Sequence, residues 1–227
     1  MAKIIMYILF SFLSVTILAQ DIDSNDYIDD FVKDTTSTLH IGFSIGGFSQ
    51  TMLYNANKQN NDSISPSPGN PNIGITIGLL VEKDLTQKLW FKTGLNINIS
   101  KININYKYKG INNNYNFNYP SIEVPIWLQY AFKTKQRGWS WGAGIKPSLD
   151  ISHAVDFNNR LFEIKKTNLL IGTGPTKRWQ LNSGHWVNLS FAFDIGLLNV
   201  FKNVDNIYNN SIATGRPWHF QVLLSID

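Results

Sequence analysis

Cysteine is absent from this 227-residue chain. Disulfides, thiolate metal ligands and thiol nucleophiles are thereby excluded together, and so is attachment through a lipid-modified N-terminal cysteine. Long apolar runs are also missing. Beyond residues 4–18, nothing approaches the ~18 consecutive apolar residues that a helical membrane span requires. Charge is sparse, at 16% Asp, Glu, Lys and Arg, and the net +4 is scattered along the chain. A dispersed excess of that size gives no footprint for nucleic acid. The four histidines (His40, His153, His185, His219) form no ligand-spaced cluster, so no metal and no cofactor are expected.

What the chain does contain is alternation. From Trp139 to Asp150, the residues Trp139, Trp141, Ala143, Ile145, Pro147 and Leu149 share one face. Ser140, Gly142, Gly144, Lys146, Ser148 and Asp150 share the other. Successive strand side chains point to opposite faces, so this segment reads as a strand with one apolar and one small, polar side. Seven further segments repeat the pattern, near 39–48, 73–82, 89–99, 122–132, 167–179, 187–197 and 219–226. The connections between them alternate long and short. Eight strands, short turns at one end and longer loops at the other predict an all-β fold, an eight-stranded antiparallel up-and-down transmembrane β-barrel. Both termini are then periplasmic and the barrel sits in the outer membrane.

Details along the strands sharpen this expectation. Beyond Ser100 the apolar phase moves to Ile102, Ile104, Tyr106 and Tyr108, which predicts either a one-residue bulge near Lys101 or a strand leaving the membrane. The run Ser65-Pro66-Ser67-Pro68-Gly69-Asn70-Pro71 reads as loop. The Asn-rich stretch from Asn112 to Asn118 reads as loop too. Pro125 lacks a ladder donor and predicts a bulge or bend inside the fourth strand. Trp90, Tyr106, Tyr108, Tyr119, Tyr130, Phe132, Trp139, Trp179, Trp186 and Trp218 lie near strand ends and are expected to form interfacial girdles.

The N-terminus divides the chain further. Residues 1–19 read as a signal peptide, with Lys3 before the apolar stretch and a cut near Ala19. Residues 20–37 form an acidic, turn-prone lead-in (Asp21, Asp23, Asp26, Asp29, Asp30, Asp34), and 38–227 the barrel.

Alternation alone does not say which face is wet, because a secreted lipocalin-like barrel or β-sandwich would turn the same apolar face inward. Two features favour the membrane: the polar face is crowded with Gly, Ala, Ser and Asn, as a narrow lumen requires, and aromatics gather toward strand ends. In an eight-stranded lumen just wide enough for side chains, Lys92, Glu123, Lys146, Asp150 and Asp194 would point inward, with Glu82 near one end. They could form an ion path or a paired, structural charge network; burial favours the pairing.

Catalytic patterns are weak. Ser152 beside His153, with Asp150 two residues back, lacks any geometric warrant. Gly42-Phe-Ser-Ile-Gly46 has G-x-S-x-G spacing but falls within a strand, whereas that motif needs a strand-to-helix turn. No enzyme is expected. The short basic turn with Lys133, Lys135 and Arg137 is a candidate partner-facing surface, with ordinary solvation as the alternative.

Three segments carry a family resemblance. Tyr119-Pro-Ser-Ile-Glu-Val-Pro-Ile-Trp-Leu-Gln-Tyr130, with Tyr119, Ile122, Glu123, Val124 and Pro125 as its most specific part, resembles the fourth-strand signature of the PorT-type outer-membrane barrels of Bacteroidetes. Leu39-His-Ile-Gly-Phe-Ser-Ile-Gly46 is similar to that family's opening strand, and Gly142-Ala-Gly-Ile-Lys-Pro147 to its fifth. The resemblance implies a non-enzymatic barrel that assists type IX protein secretion and, in gliding relatives, motility. Its implied partners are outer-membrane lipid and other secretion-system proteins, with the barrel itself monomeric. The terminal Ser225-Ile226-Asp227 departs from the terminal aromatic common in barrels. A small outer-membrane channel or a surface-binding barrel unconnected to secretion is the alternative.

Overall fold

The computed structural model describes residues 39–56, 64–132, 137–152, 162–181, 183, 185–203 and 207–226. The stretches read from sequence as a signal peptide and an acidic lead-in, and His153, lie outside the described residues.

Among the described residues, twelve strands form two sheets: β1 (Leu39–Ala56), β2 (Ile64–Pro68), β3 (Asn72–Asp84), β4 (Leu89–Ile99), β5 (Lys101–Tyr108), β6 (Ile111–Asn118), β7 (Ser121–Glu123), β8 (Ile126–Ala131), β9 (Arg137–Asp150), β10 (Thr167–Gln180), β11 (Trp186–Gly196) and β12 (Ile212–Ile226). One short helix, α1 (Ile207–Asn210), precedes β12. The larger sheet runs β10-β11-β12-β1-β3-β4, continues through β7 and β8 to β9, and closes because β9 also pairs with β10. Every pairing is antiparallel. With β7 and β8 counted as one interrupted strand, the ring has eight staves and no free edge. Closure satisfies backbone donors and acceptors within the wall, the condition for crossing lipid with strands.

The interruption is the work of Pro125. Val124 donates its amide to Pro147 O at 3.0 Å toward β9, so the next residue's nitrogen faces β4, and proline has no hydrogen to offer there. Of the bulge or bend expected from sequence, no bulge forms. Register on the β4 side runs unchanged from Asn96↔Glu123 to Thr93↔Ile126, and on the β9 side from Glu123↔Ser148 to Ile126↔Ile145. A bond is lost without a residue being inserted.

The outer face of the ring is largely apolar and uncovered, with Thr173 and Lys177 of β10 as polar exceptions. Ile41 is 69% exposed and Ile73 87%, and Ile97, Leu128, Ile145, Ile171, Phe193 and Leu224 continue the belt around the ring. Such a belt far exceeds the apolar patch a water-soluble monomer tolerates, and lipid is the solvent that fits it. Among the described residues no helix is long and apolar enough to cross a membrane; the strands do the crossing.

Beyond the membrane-facing staves, β2, β5 and β6 make a second, three-stranded sheet at the long-loop end. This corrects two expectations. The Asn-rich stretch is strand β6, hairpinned to β5 through Lys109 and Gly110, whose positive φ values of 49° and 82° suit a two-residue turn. The proline-rich run contributes β2, which pairs with β5. Pro66 and Pro68 are two residues apart, so their missing donors fall on one side of an edge strand, where proline is tolerated.

The phase change at Ser100 is resolved as a strand leaving the membrane. Even-numbered residues point inward throughout: Trp90, Lys92, Asn96, Asn98, Ser100, Ile102 and Ile104 are all buried. Only the chemistry inverts. Below Ser100 the inside is polar and the outside apolar; above it Ile102 and Ile104 face in, while Lys101 and Lys107 are exposed. The inward side of β5 and β6 packs with Met52, Phe117, Tyr119, Phe162, Ile164, Val200, Phe201 and Ile212 in a hydrophobic cluster. This cap has an ordinary water-soluble core, with Phe162 and Phe201 edge-on at 6.0 Å between ring centroids.

Candidate functional site

The lumen holds the barrel's charged groups in two clusters. Near the short-turn end, Glu82 is flanked by Arg178 (Nη2 to Oε2, 3.2 Å) and Lys92 (Nζ to Oε1, 3.6 Å). The Arg178 guanidinium lies over Trp186 at 4.3 Å and Trp90 at 5.1 Å from the ring centroids. A cation removed from water recovers part of its solvation from such π faces. Trp90 is only 1% exposed.

At mid-height, Lys146 Nζ donates to Asp194 Oδ2 at 2.7 Å and to Gln221 Oε1 at 2.8 Å, and stands 5.2 Å from the Trp127 ring centroid. Gln221 passes the chain on to Thr76 Oγ1 at 3.0 Å, and Thr76 donates to Asn98 Oδ1 at 2.7 Å. Glu123 shares a side-chain hydrogen bond with Asn98 and lies within electrostatic reach of Lys146 and Asp194. Asp150 sits nearer the loop end, where its Oδ1 accepts the Ser152 amide at 2.9 Å. Around Gln129 a hydroxyl set completes the filling: Gln129 Nε2 donates to Thr176 Oγ1 at 3.2 Å, and Thr176 to Ser190 Oγ at 3.0 Å.

Glycine makes room for these groups. A Cβ on Gly172 would occupy the place of Asp194 Oδ1, and one on Gly142 would meet the Gln129 amide at 2.5 Å. Gly142 and Gly172 therefore serve lumen packing, whereas a Cβ on Gly144 or Gly174 would first meet the backbone of the neighbouring strand. A cavity of about 30 Å³, lined by Lys92, Trp127, Gln129, Lys146, Thr176 and Gln221 among others, remains beside the mid-height cluster. That is space for a water or two.

The residues singled out from sequence thus separate. Lys92 joins the short-turn cluster, Lys146, Asp194 and Glu123 the mid-height one, and Asp150 the loop-end rim. Of the fourth-strand motif, Tyr119 is buried in the cap core, Ile122 and Val124 face outward, and Glu123 and Pro125 face the lumen. Lys133 and Lys135 lie outside the described residues, and Arg137 opens β9.

Sequence reasoning missed Arg178, Trp90, Trp127 and Gln221. Inward parity from Gly172 through Gly174 and Thr176 would have reached Arg178, but the outward Thr173, Pro175 and Lys177 hide the alternation of β10. The girdle expectation is corrected as well. Tyr130, Phe132, Trp139 and Trp179 face outward at strand ends and Trp218 faces outward within β12, whereas Trp90 and Trp186 turn into the lumen against Arg178. Tyr106 and Tyr119 turn into the cap, and Tyr108 lies on the same inward row. In the cap, burial holds the Tyr54 hydroxyl well above the ordinary tyrosine range.

The segment with G-x-S-x-G spacing does not take the turn that motif needs, and His153, beside Ser152, lies outside the described residues. Ser44, at the centre of Gly42-Phe-Ser-Ile-Gly46, sits mid-strand between Ser225 and Gly78, with no strand-to-helix turn. Among the described residues no group of three or more His, Asp or Glu could hold a metal ion.

A family model described as outer membrane protein beta-barrel domain matches residues 19–202. The chain belongs to that family. Outer-membrane location follows for this barrel and agrees with its lipid-suited outer belt. Among solved structures, it is similar to the crystal structure of the outer membrane protein OprG from Pseudomonas aeruginosa, with 11% identity and a TM-score of 0.40 over 82% of this chain and 92% of that one. No curated protein matches the chain.

Proposed function

We propose that this outer-membrane barrel is a PorT-like accessory component of type IX protein secretion, also supporting gliding motility in cells that glide. It acts through its loops, turns and N-terminal segment, not by conduction. The observation that carries the non-conducting part is the filled lumen: Glu82, Lys92 and Arg178 with two tryptophans at one level, and Lys146, Asp194 and Gln221 at the next. An eight-stranded wall leaves no further width for a path around them. Support for secretion itself comes from the Tyr119–Tyr130 segment and its likeness to the PorT signature.

On this reading the barrel is monomeric, both termini are periplasmic, and the partners are other secretion-system proteins. The acidic stretch Asp21–Asp34 and the turn carrying Lys133, Lys135 and Arg137 would then face them from the same side of the membrane. Chromosomal deletion tests the proposal. Type IX cargo should be lost from the medium and restored by complementation. Normal export after deletion overturns it. Intact export with altered solute uptake or adhesion would replace it with the channel or surface-binding reading.

A further inference from the structure

The outward face of the loop-end sheet is made of Asn, Ser and Lys. Strand parity places Ser65 and Ser67 of β2, Lys101, Asn103, Asn105 and Lys107 of β5, and Asn112, Asn114, Asn116 and Asn118 of β6 side by side. Rows cross the sheet as Ser67–Asn105–Asn114 and Ser65–Lys107–Asn112. No carboxylate and no apolar side chain interrupts the grid. Its amides are tied to one another: Asn114 Nδ2 donates to Asn103 Oδ1 and Asn105 Oδ1, each at 2.7 Å, and Asn116 Nδ2 to Asn114 Oδ1 at 2.9 Å. Side chains held this way lose little further freedom on binding.

Position gives the face its meaning. It continues the lipid-facing side of β4, because residue parity is unbroken from Leu95, Ile97 and Ile99 to Lys101, Asn103 and Asn105. Whatever molecule packs against Ile99 with its tail must present its headgroup to Lys101. The face also stands tall. The six steps from Lys101 to Lys107 span about 20 Å along the strand, whereas a phospholipid headgroup layer is only about 5–8 Å thick on each side of the hydrocarbon. A phospholipid would leave most of the grid in water.

We infer that this face binds the phosphorylated oligosaccharide headgroup of a glycolipid in the adjoining leaflet. Sugar hydroxyls both donate and accept, as each Asn amide does, and the two lysines match phosphate on a face that carries no acid among its described residues. The inference rests on the outer-membrane placement of the barrel and is independent of any role in secretion.

Native mass spectrometry of the detergent-purified full chain, offered lipopolysaccharide, phosphatidylglycerol or phosphatidylethanolamine, tests it. Lipopolysaccharide should be retained over both phospholipids. K101Q/K107Q should weaken that retention by about fivefold per lysine. N114A/N116A should weaken it too, while leaving the response to phosphatidylglycerol unchanged. All four substitutions fall at exposed positions, and unaltered heat-modifiable migration on gels will establish that each variant keeps its barrel. Wild-type retention of phosphatidylglycerol equal to lipopolysaccharide, retention of neither, or variants that bind as wild type each overturn the inference.

Discussion

The wall of the barrel and the cap beyond it share one inward parity where β4 runs on into β5, yet their chemistry is opposite. In the wall, Lys92, Lys146, Glu123 and Asp194 point in while Ile41, Ile97 and Phe193 point out. In the cap, Ile102, Ile104, Phe117 and Phe162 point in while Lys101, Lys107 and Asn114 point out. The changeover lies near Ser100, whose hydroxyl bonds Gln50 Oε1 at 2.9 Å and Tyr119 O at 3.1 Å. Alternation therefore specifies a strand, and the solvent outside it decides which half of the alternation is apolar.

The two regions should fail differently when perturbed. K146M leaves Asp194 and Glu123 as uncompensated buried acids, and breaking a buried pair costs about 3–5 kcal/mol. The urea midpoint for loss of the fast-migrating unheated band should drop accordingly, and K146M/D194L should recover part of it. A K146M barrel as stable as wild type would mean that the lumen pair is not holding the wall.

F162A removes a ring from the centre of the cap, a change that costs about 3–5 kcal/mol where relaxation is limited. Here the loss should stay local. Amide exchange should accelerate in β5 and β6 and remain slow in β10 and β11. Equal acceleration in both regions would make wall and cap one cooperative unit.

A smaller and more pointed comparison uses one face of one hairpin. I97K places a charge against lipid and should cost about 2–4 kcal/mol if it lies near the midplane. N105K, on the same outward row beyond Ser100, should stay within about 0.5 kcal/mol. Similar costs at the two positions would erase the boundary between them.

The eight staves were legible because lipid on one side and a narrow lumen on the other impose period-2 chemistry on nearly every residue. Lys146 and Asp194 were legible for the same reason, as charges on a face otherwise made of Gly, Ser and Ala. The cap was not. Asn in β6 is turn-prone by propensity, and Tyr115 and Phe117 alternate over too short a run to outweigh it. β2 was hidden by Pro66 and Pro68, whose tolerance depends on an edge position that only the assembled sheet supplies. Arg178 was obscured by the polar outward face of β10. Trp90 was grouped with the girdle by its place near a strand end, although its even number already sets it inward beside Lys92.

The absence of cysteine makes the central claim directly measurable. Single cysteines at Leu95, Ile97, Ile99, Lys101, Asn103 and Asn105, each carrying a nitroxide, can be compared for collision with oxygen and with a water-soluble nickel chelate in reconstituted protein. The account predicts lipid-like accessibility at the first three positions and aqueous accessibility at the last three, with every label mobile on the outer face. Immobilised labels from Lys101 onward would reveal a parity switch at Ser100, and uniform aqueous accessibility would remove the lipid from the outer face; either result would contradict the inversion.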